Sequence, residues 1–107
     1  MKKLILVIAL FVFGGNSVHS IIIDVRTQEE WDNGYLEEAI HIPLSVISED
    51  IDKFVKFYDE EIFLYCRSGN RSGKAKNILE KLGYSNASNL GGISDISMSK
   101  GLKIIKK

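Results

Sequence analysis

The stretch Leu64-Tyr65-Cys66-Arg67-Ser68-Gly69-Asn70-Arg71-Ser72-Gly73 most constrains what this chain can fold into. An apolar run over 62–65 delivers the single cysteine, Cys66, to its end. A short polar loop with Gly69, Arg67 and Arg71 follows, and a helical pattern begins near Ser72. Strand, tight loop and helix in that order aim successive backbone N–H groups and a helix N-terminus into one small concavity. A thiol there is acidified: free cysteine has a pKa of about 8.5, and helix N-termini and neighbouring cations lower it to roughly 3.5–7.5. A lone cysteine closing a buried strand is often a small apolar filler. Two cations beside it serve no packing purpose, so the stretch reads as an activated sulfur in an anion-binding cup.

The chain has 107 residues, 45% hydrophobic and 26% charged, with formal net charge zero, which suits one globular domain. Its basic residues are dispersed apart from the two termini, so nothing marks a nucleic-acid partner. Lys2 and Lys3 precede an apolar run over 4–13 and a small-residue stretch over 14–20. That order predicts a secretory signal peptide over 1–20, with cuts after Ser17 or Ser20 both fitting, and a domain over 21–107. The apolar run is too short for the roughly 20 residues that span a bilayer, so the expectation is an exported, periplasmic protein with no stable membrane association after cleavage. A single thiol in an oxidising compartment has no partner inside the chain, which marks it as reactive or as the site of an intermolecular bond.

Along the rest of the chain, short buried strands alternate with amphipathic helices. Strands are predicted over 21–25, 39–42, 62–65 and 86–90. Thr27 and Glu30 form a capping box that opens a brief helix stopped by Asn33-Gly34. Trp31 is expected to pack on the sheet, and 35–38 to be a loop. A second helix is expected from an N-cap within 45–48 through Tyr58, and a third from near Ser72, with Ala75, Ile78, Leu79 and Leu82 as its buried stripe and Gly83 as its stop. Gly91-Gly92 reads as a tight turn, 94–99 as a last helix and 101–105 as an extended end. The alternation defines an α/β domain with a small parallel β-sheet of four to five short strands flanked by helices. His41 lies in an apolar run before Pro43 and reads as structural; no metal set and no cofactor motif is present. Asp24 reads as the structural partner of a nearby cation.

At this point the chain resembles a single-domain rhodanese of the short exported kind. The resemblance rests on Asp24-Val25-Arg26-Thr27-Gln28-Glu29-Glu30-Trp31, Ala39-Ile40-His41-Ile42-Pro43-Leu44, the loop Cys66-Arg67-Ser68-Gly69-Asn70-Arg71-Ser72, and Asn89-Leu90-Gly91-Gly92-Ile93, in family order. Tyr35-Leu36-Glu37-Glu38 stands where the family usually has His-Ile-Pro-Gly, and the last helix lacks the family's Trp. The resemblance implies a sulfurtransferase that moves a sulfane sulfur from thiosulfate or a similar donor to a thiol or cyanide acceptor through a Cys66 persulfide. It implies Cys66 as the catalytic residue, with Arg67, Ser68, Gly69, Asn70, Arg71 and Ser72 binding substrate, and a monomer or weak oligomer. Two alternatives stay open. A Cys-based phosphatase or arsenate reductase of related fold uses a similar cup, but its loop is Cys-x5-Arg and the spacing from Cys66 to Arg71 is one residue shorter. A non-catalytic sulfur-carrier or binding module is the other.

Overall fold

A computed structural model describes residues 20–106; the segment read as a signal peptide lies outside the described residues except for Ser20. The β-branched run at its start forms β1 (Ser20–Asp24), and β3 (Ile40–His41), β4 (Glu61–Cys66) and β5 (Ala87–Gly92) join it in a four-stranded sheet of order β3-β1-β4-β5, all parallel. β4 is therefore an interior strand, and its C-terminal residue is Cys66. Side chains alternate along it. Ile62, Leu64 and Cys66 enter the larger core, under α2 (Ile47–Phe54) and α3 (Asn70–Lys81), whereas Tyr65 enters the smaller core with Leu36 and Ile96, under α4 (Ile93–Lys100). The alternation alone sends the thiol to the face where α3 begins.

The capping box forms as expected and opens α1 (Gln28–Asp32): the Glu30 N–H donates to Thr27 Oγ1, and the Glu30 carboxylate accepts from the Thr27 N–H. Trp31 packs by stacking on Tyr35 and on His41, the latter a residue of β3, with ring centroids 3.8 and 4.8 Å apart. His41 Nε2 also meets the Arg26 carbonyl at 2.8 Å, the structural role expected of it. The third helix stops as a Schellman motif: Gly83 takes a left-handed φ of 105°, and Tyr84 N–H reaches the Leu79 carbonyl at 3.0 Å.

The expected loop over 35–38 differs. Tyr35–Leu36 is a strand, β2, paired antiparallel with β6 (Ile104–Ile105). The pairing closes the end of the chain over a fully buried Leu36, a partner that no local pattern announces. The second helix also differs: a 3-10 turn over Leu44–Val46 precedes it, no side chain caps it, and it ends at Phe54 instead of Tyr58. Glu60 supplies the reason, since its carboxylate accepts from the N–H groups of Lys56 and Phe57 at 2.8 and 2.9 Å and pulls those donors out of the helix. Finally, Gly91-Gly92 is not a turn after the last sheet strand but part of it, with a bulge opposite Leu64–Tyr65 and Gly91 at φ 98°.

Candidate active site

Cys66 lies at the carboxyl end of an interior parallel strand, the crevice where open α/β sheets place their ligands. The chain turns sharply there because Gly69 adopts φ 100°, a conformation that side chains with a Cβ rarely take, and α3 starts at Asn70. The turn folds the loop around the sulfur. Gly69 N–H donates to Cys66 Sγ at 3.0 Å, and the Ser72 hydroxyl, one helical turn further on, stands 3.4 Å away. Burial pushes the thiol pKa up, but the Ser72 hydroxyl and the backbone N–H groups of Ser72, Ser68 and Gly69 outweigh it and bring it down to about 7. Alkylation by iodoacetamide should therefore rise with pH about a midpoint near 7, because the thiolate is the reacting form; a midpoint at the free-thiol value would mean the cup does not act on the sulfur.

Two further residues brace the cup. Arg71 lays its guanidinium on the Glu30 carboxylate at 2.6 and 2.9 Å, in a bidentate pair between α3 and the capping box of α1. Arg71 holds the Glu30 carboxyl at about 2, with the Thr27 N–H and hydroxyl adding to the effect against some burial. Asn89 on β5 donates from Nδ2 to the Gly69 carbonyl at 2.9 Å, and its Oδ1 accepts from Ser72 Oγ at 2.7 Å and from Gly91 N–H at 2.9 Å. Beneath the loop Gly92 comes so close that a Cβ there would sit 2.5 Å from the Arg67 carbonyl oxygen.

The other sequence-predicted residues divide. Ser68 is exposed on the loop and contributes its N–H to the thiol, and Asn70 is exposed as the first residue of α3. Arg67 is exposed and lines an adjoining cleft of about 450 Å³ with Arg26, Glu30, Asn33, Gly34, Ile93, Ser94 and Ile104. Its side chain has no acidic partner among the described residues. Asp24 chelates Arg26 with both carboxylate oxygens in a buried pair, the structural role read from the sequence. Glu30 and Asn89 were missed as site residues: one was legible only as a helix cap, the other only as part of a motif.

A cysteine in a nest of N–H groups at a strand end, flanked by two arginines, defines a thiolate enzyme or carrier that handles small anions or sulfur. The chain belongs to the rhodanese-like domain family, which it matches over residues 13–99. It is 40% identical over 78 residues to thiosulfate sulfurtransferase PspE of Escherichia coli strain K12, a match covering 73% of this chain and 75% of that one. It is 36% identical over 84 residues to a putative mitochondrial thiosulfate sulfurtransferase of Schizosaccharomyces pombe, covering 68% of this chain and 59% of that one. Among solved structures, a rhodanese with anions from E. coli superposes with a TM-score of 0.76 at 34% identity, covering 83% of this chain and all (100%) of that chain.

Proposed function

We propose that the chain is a thiosulfate sulfurtransferase working through a persulfide on Cys66. The observation that carries this is the thiol itself: buried at the end of β4 and hydrogen-bonded by Gly69 N–H at 3.0 Å. The Cys66 thiolate attacks the outer sulfur of thiosulfate; the S–S bond of the donor breaks and its electron pair leaves with sulfite. The outer sulfur of the resulting persulfide is then taken by cyanide as thiocyanate, or by a thiol as a new persulfide, and the thiolate returns. The N–H groups around the sulfur stabilise the charge on it at each stage. The test is an assay with thiosulfate and cyanide, in which sulfite and thiocyanate form in equal amounts; release of phosphate from an aryl phosphate instead would favour a phosphatase.

The cations divide the work of holding the donor. Arg67 offers a charge with no acidic partner among the described residues, in the cleft beside the cup, and Arg71 offers one already shared with Glu30. Arg71→Ala removes a positive charge and leaves the Glu30 carboxylate facing the cup, so kcat/KM for thiosulfate should fall about 10- to 100-fold. Adding Glu30→Gln should restore part of that loss, since it removes the orphaned negative charge. Arg67→Ala should cost roughly tenfold and leave iodoacetamide alkylation unchanged. An Arg71→Ala loss that Glu30→Gln deepens would contradict this division.

Export to the periplasm is part of the same reading, supported by the basic start and the short apolar run before the fold. Of the two cleavage positions, the cut after Ser17 suits the fold better. Ser20 pairs with Glu61 in the sheet and its hydroxyl donates to the Glu61 carboxylate at 2.6 Å, so a cut after Ser20 would remove a strand residue. N-terminal sequencing of the exported protein reads this directly.

A further inference from the structure

The Ser72 hydroxyl has one proton and two acceptors within reach, Asn89 Oδ1 at 2.7 Å and Cys66 Sγ at 3.4 Å. The Asn89 amide cannot turn over to change this. Its Nδ2 faces the Gly69 carbonyl, which only accepts, and its Oδ1 faces the Gly91 N–H, which only donates. Oδ1 is thus a fixed acceptor aimed at the hydroxyl, and the hydroxyl lies between it and the sulfur. We propose that Asn89 is a positioning residue that draws the Ser72 proton away from Cys66 while the thiol is neutral and yields it by rotation of the hydroxyl when the sulfur ionises. No proton leaves Ser72; the hydroxyl exchanges a bond to an amide oxygen for a charge-assisted one to sulfur. With its O–H directed at Asn89 Oδ1, the hydroxyl oxygen presents lone pairs to the S–H, so Asn89 favours the thiol. Asn89 therefore opposes the other donors of the cup and sets how much thiolate is present near neutral pH.

The charged groups around the sulfur are Arg71 on α3, paired with Glu30 on α1, Arg67 in the loop, and the Asp24–Arg26 pair at the end of β1. The sheet residues of β5 are uncharged, and all these charges survive a change at Asn89. The proposal rests on the reading of Cys66 as the nucleophile, but its test does not need thiosulfate. The pH profile of iodoacetamide alkylation is measured for the wild type, Asn89→Ala, Ser72→Ala and the double variant. Asn89→Ala should lower the Cys66 midpoint by about half to one pH unit, because the hydroxyl then serves the sulfur alone. Ser72→Ala should raise it, and in that background Asn89→Ala should shift nothing, because the effect passes through the hydroxyl.

A purely structural role predicts otherwise. Losing the bond to the Gly69 carbonyl would loosen the loop and move the midpoint equally with or without Ser72. An equal shift in both backgrounds, or an upward shift in Asn89→Ala alone, overturns the proposal. Asn89→Asp covers the case in which Asn89→Ala does not fold: it keeps the acceptor and adds charge, so the midpoint should rise by more with Ser72 present than in Ser72→Ala. An equal rise in the two backgrounds would also overturn the proposal. Persulfide formation from thiosulfate is followed separately by mass in the same variants, so a failure of the Cys66 reading shows as absent sulfur uptake in wild type.

Discussion

Cys66→Ser should form no measurable thiocyanate from thiosulfate and cyanide, a loss of roughly 10⁴–10⁶-fold, the scale on which removal of an enzyme's nucleophile acts. The loss should be chemical and not structural. Serine fills almost the same space, and its hydroxyl inherits the Gly69 N–H and the Ser72 hydroxyl as partners, so its buried oxygen is not left bare. But a serine hydroxyl stays protonated where the thiol, at about 7, is half ionised, and it has no sulfur on which to carry a persulfide. The denaturation midpoint should accordingly move little. Retained turnover in Cys66→Ser would place the chemistry elsewhere and remove the basis of the proposed function.

Gly92→Ala should cost both stability and turnover. The added methyl carbon would stand 2.5 Å from the Arg67 carbonyl oxygen, 3.3 Å from its carbonyl carbon and 3.5 Å from Ser68 Cα. All three atoms are backbone of the loop that wraps Cys66, so no side chain can swing aside and the loop itself must move. Overpacking of this kind costs about 1–3 kcal/mol, and displacing a reacting group by about 1 Å can cost on the order of 100-fold in rate. Gly91→Ala is the control. A Cβ there meets nothing within 4 Å, but φ is 98°, so the cost is backbone strain of roughly 1–2 kcal/mol without a clash against the loop. Urea midpoints should fall for both variants, while thiosulfate turnover should fall steeply only for Gly92→Ala. Equal turnover in the two would mean that the close approach under Arg67 does not set the shape of the cup.

What the sequence disclosed and what it withheld follow the range of each interaction. The Thr27–Glu30 capping box, the Gly83 stop and the delivery of Cys66 by an apolar strand are all local, and each stands in the structure as read. The strand Tyr35–Leu36 was hidden because its partner, Ile104–Ile105, lies near the other end of the chain and the pairing is two residues long. The early end of the second helix was hidden because a helical period continues through Tyr58, while the side chain that ends the helix, Glu60, lies beyond it. In the site, the loop residues from Cys66 to Ser72 were legible as a motif, since they are consecutive. Their braces were not: Glu30 is 41 positions from Arg71, and Asn89 is 17 from Ser72. Arg71 read alone is a free cation aimed at an anion; only the fold shows that it arrives already paired.

The most direct measurement is the intact mass of the wild-type protein before and after incubation with thiosulfate. A persulfide on Cys66 adds the mass of one sulfur atom, which cyanide removes with return of the original mass, and Cys66→Ser gains nothing. A folded wild-type protein whose mass does not change with thiosulfate, or whose added sulfur persists in Cys66→Ser, would contradict the account.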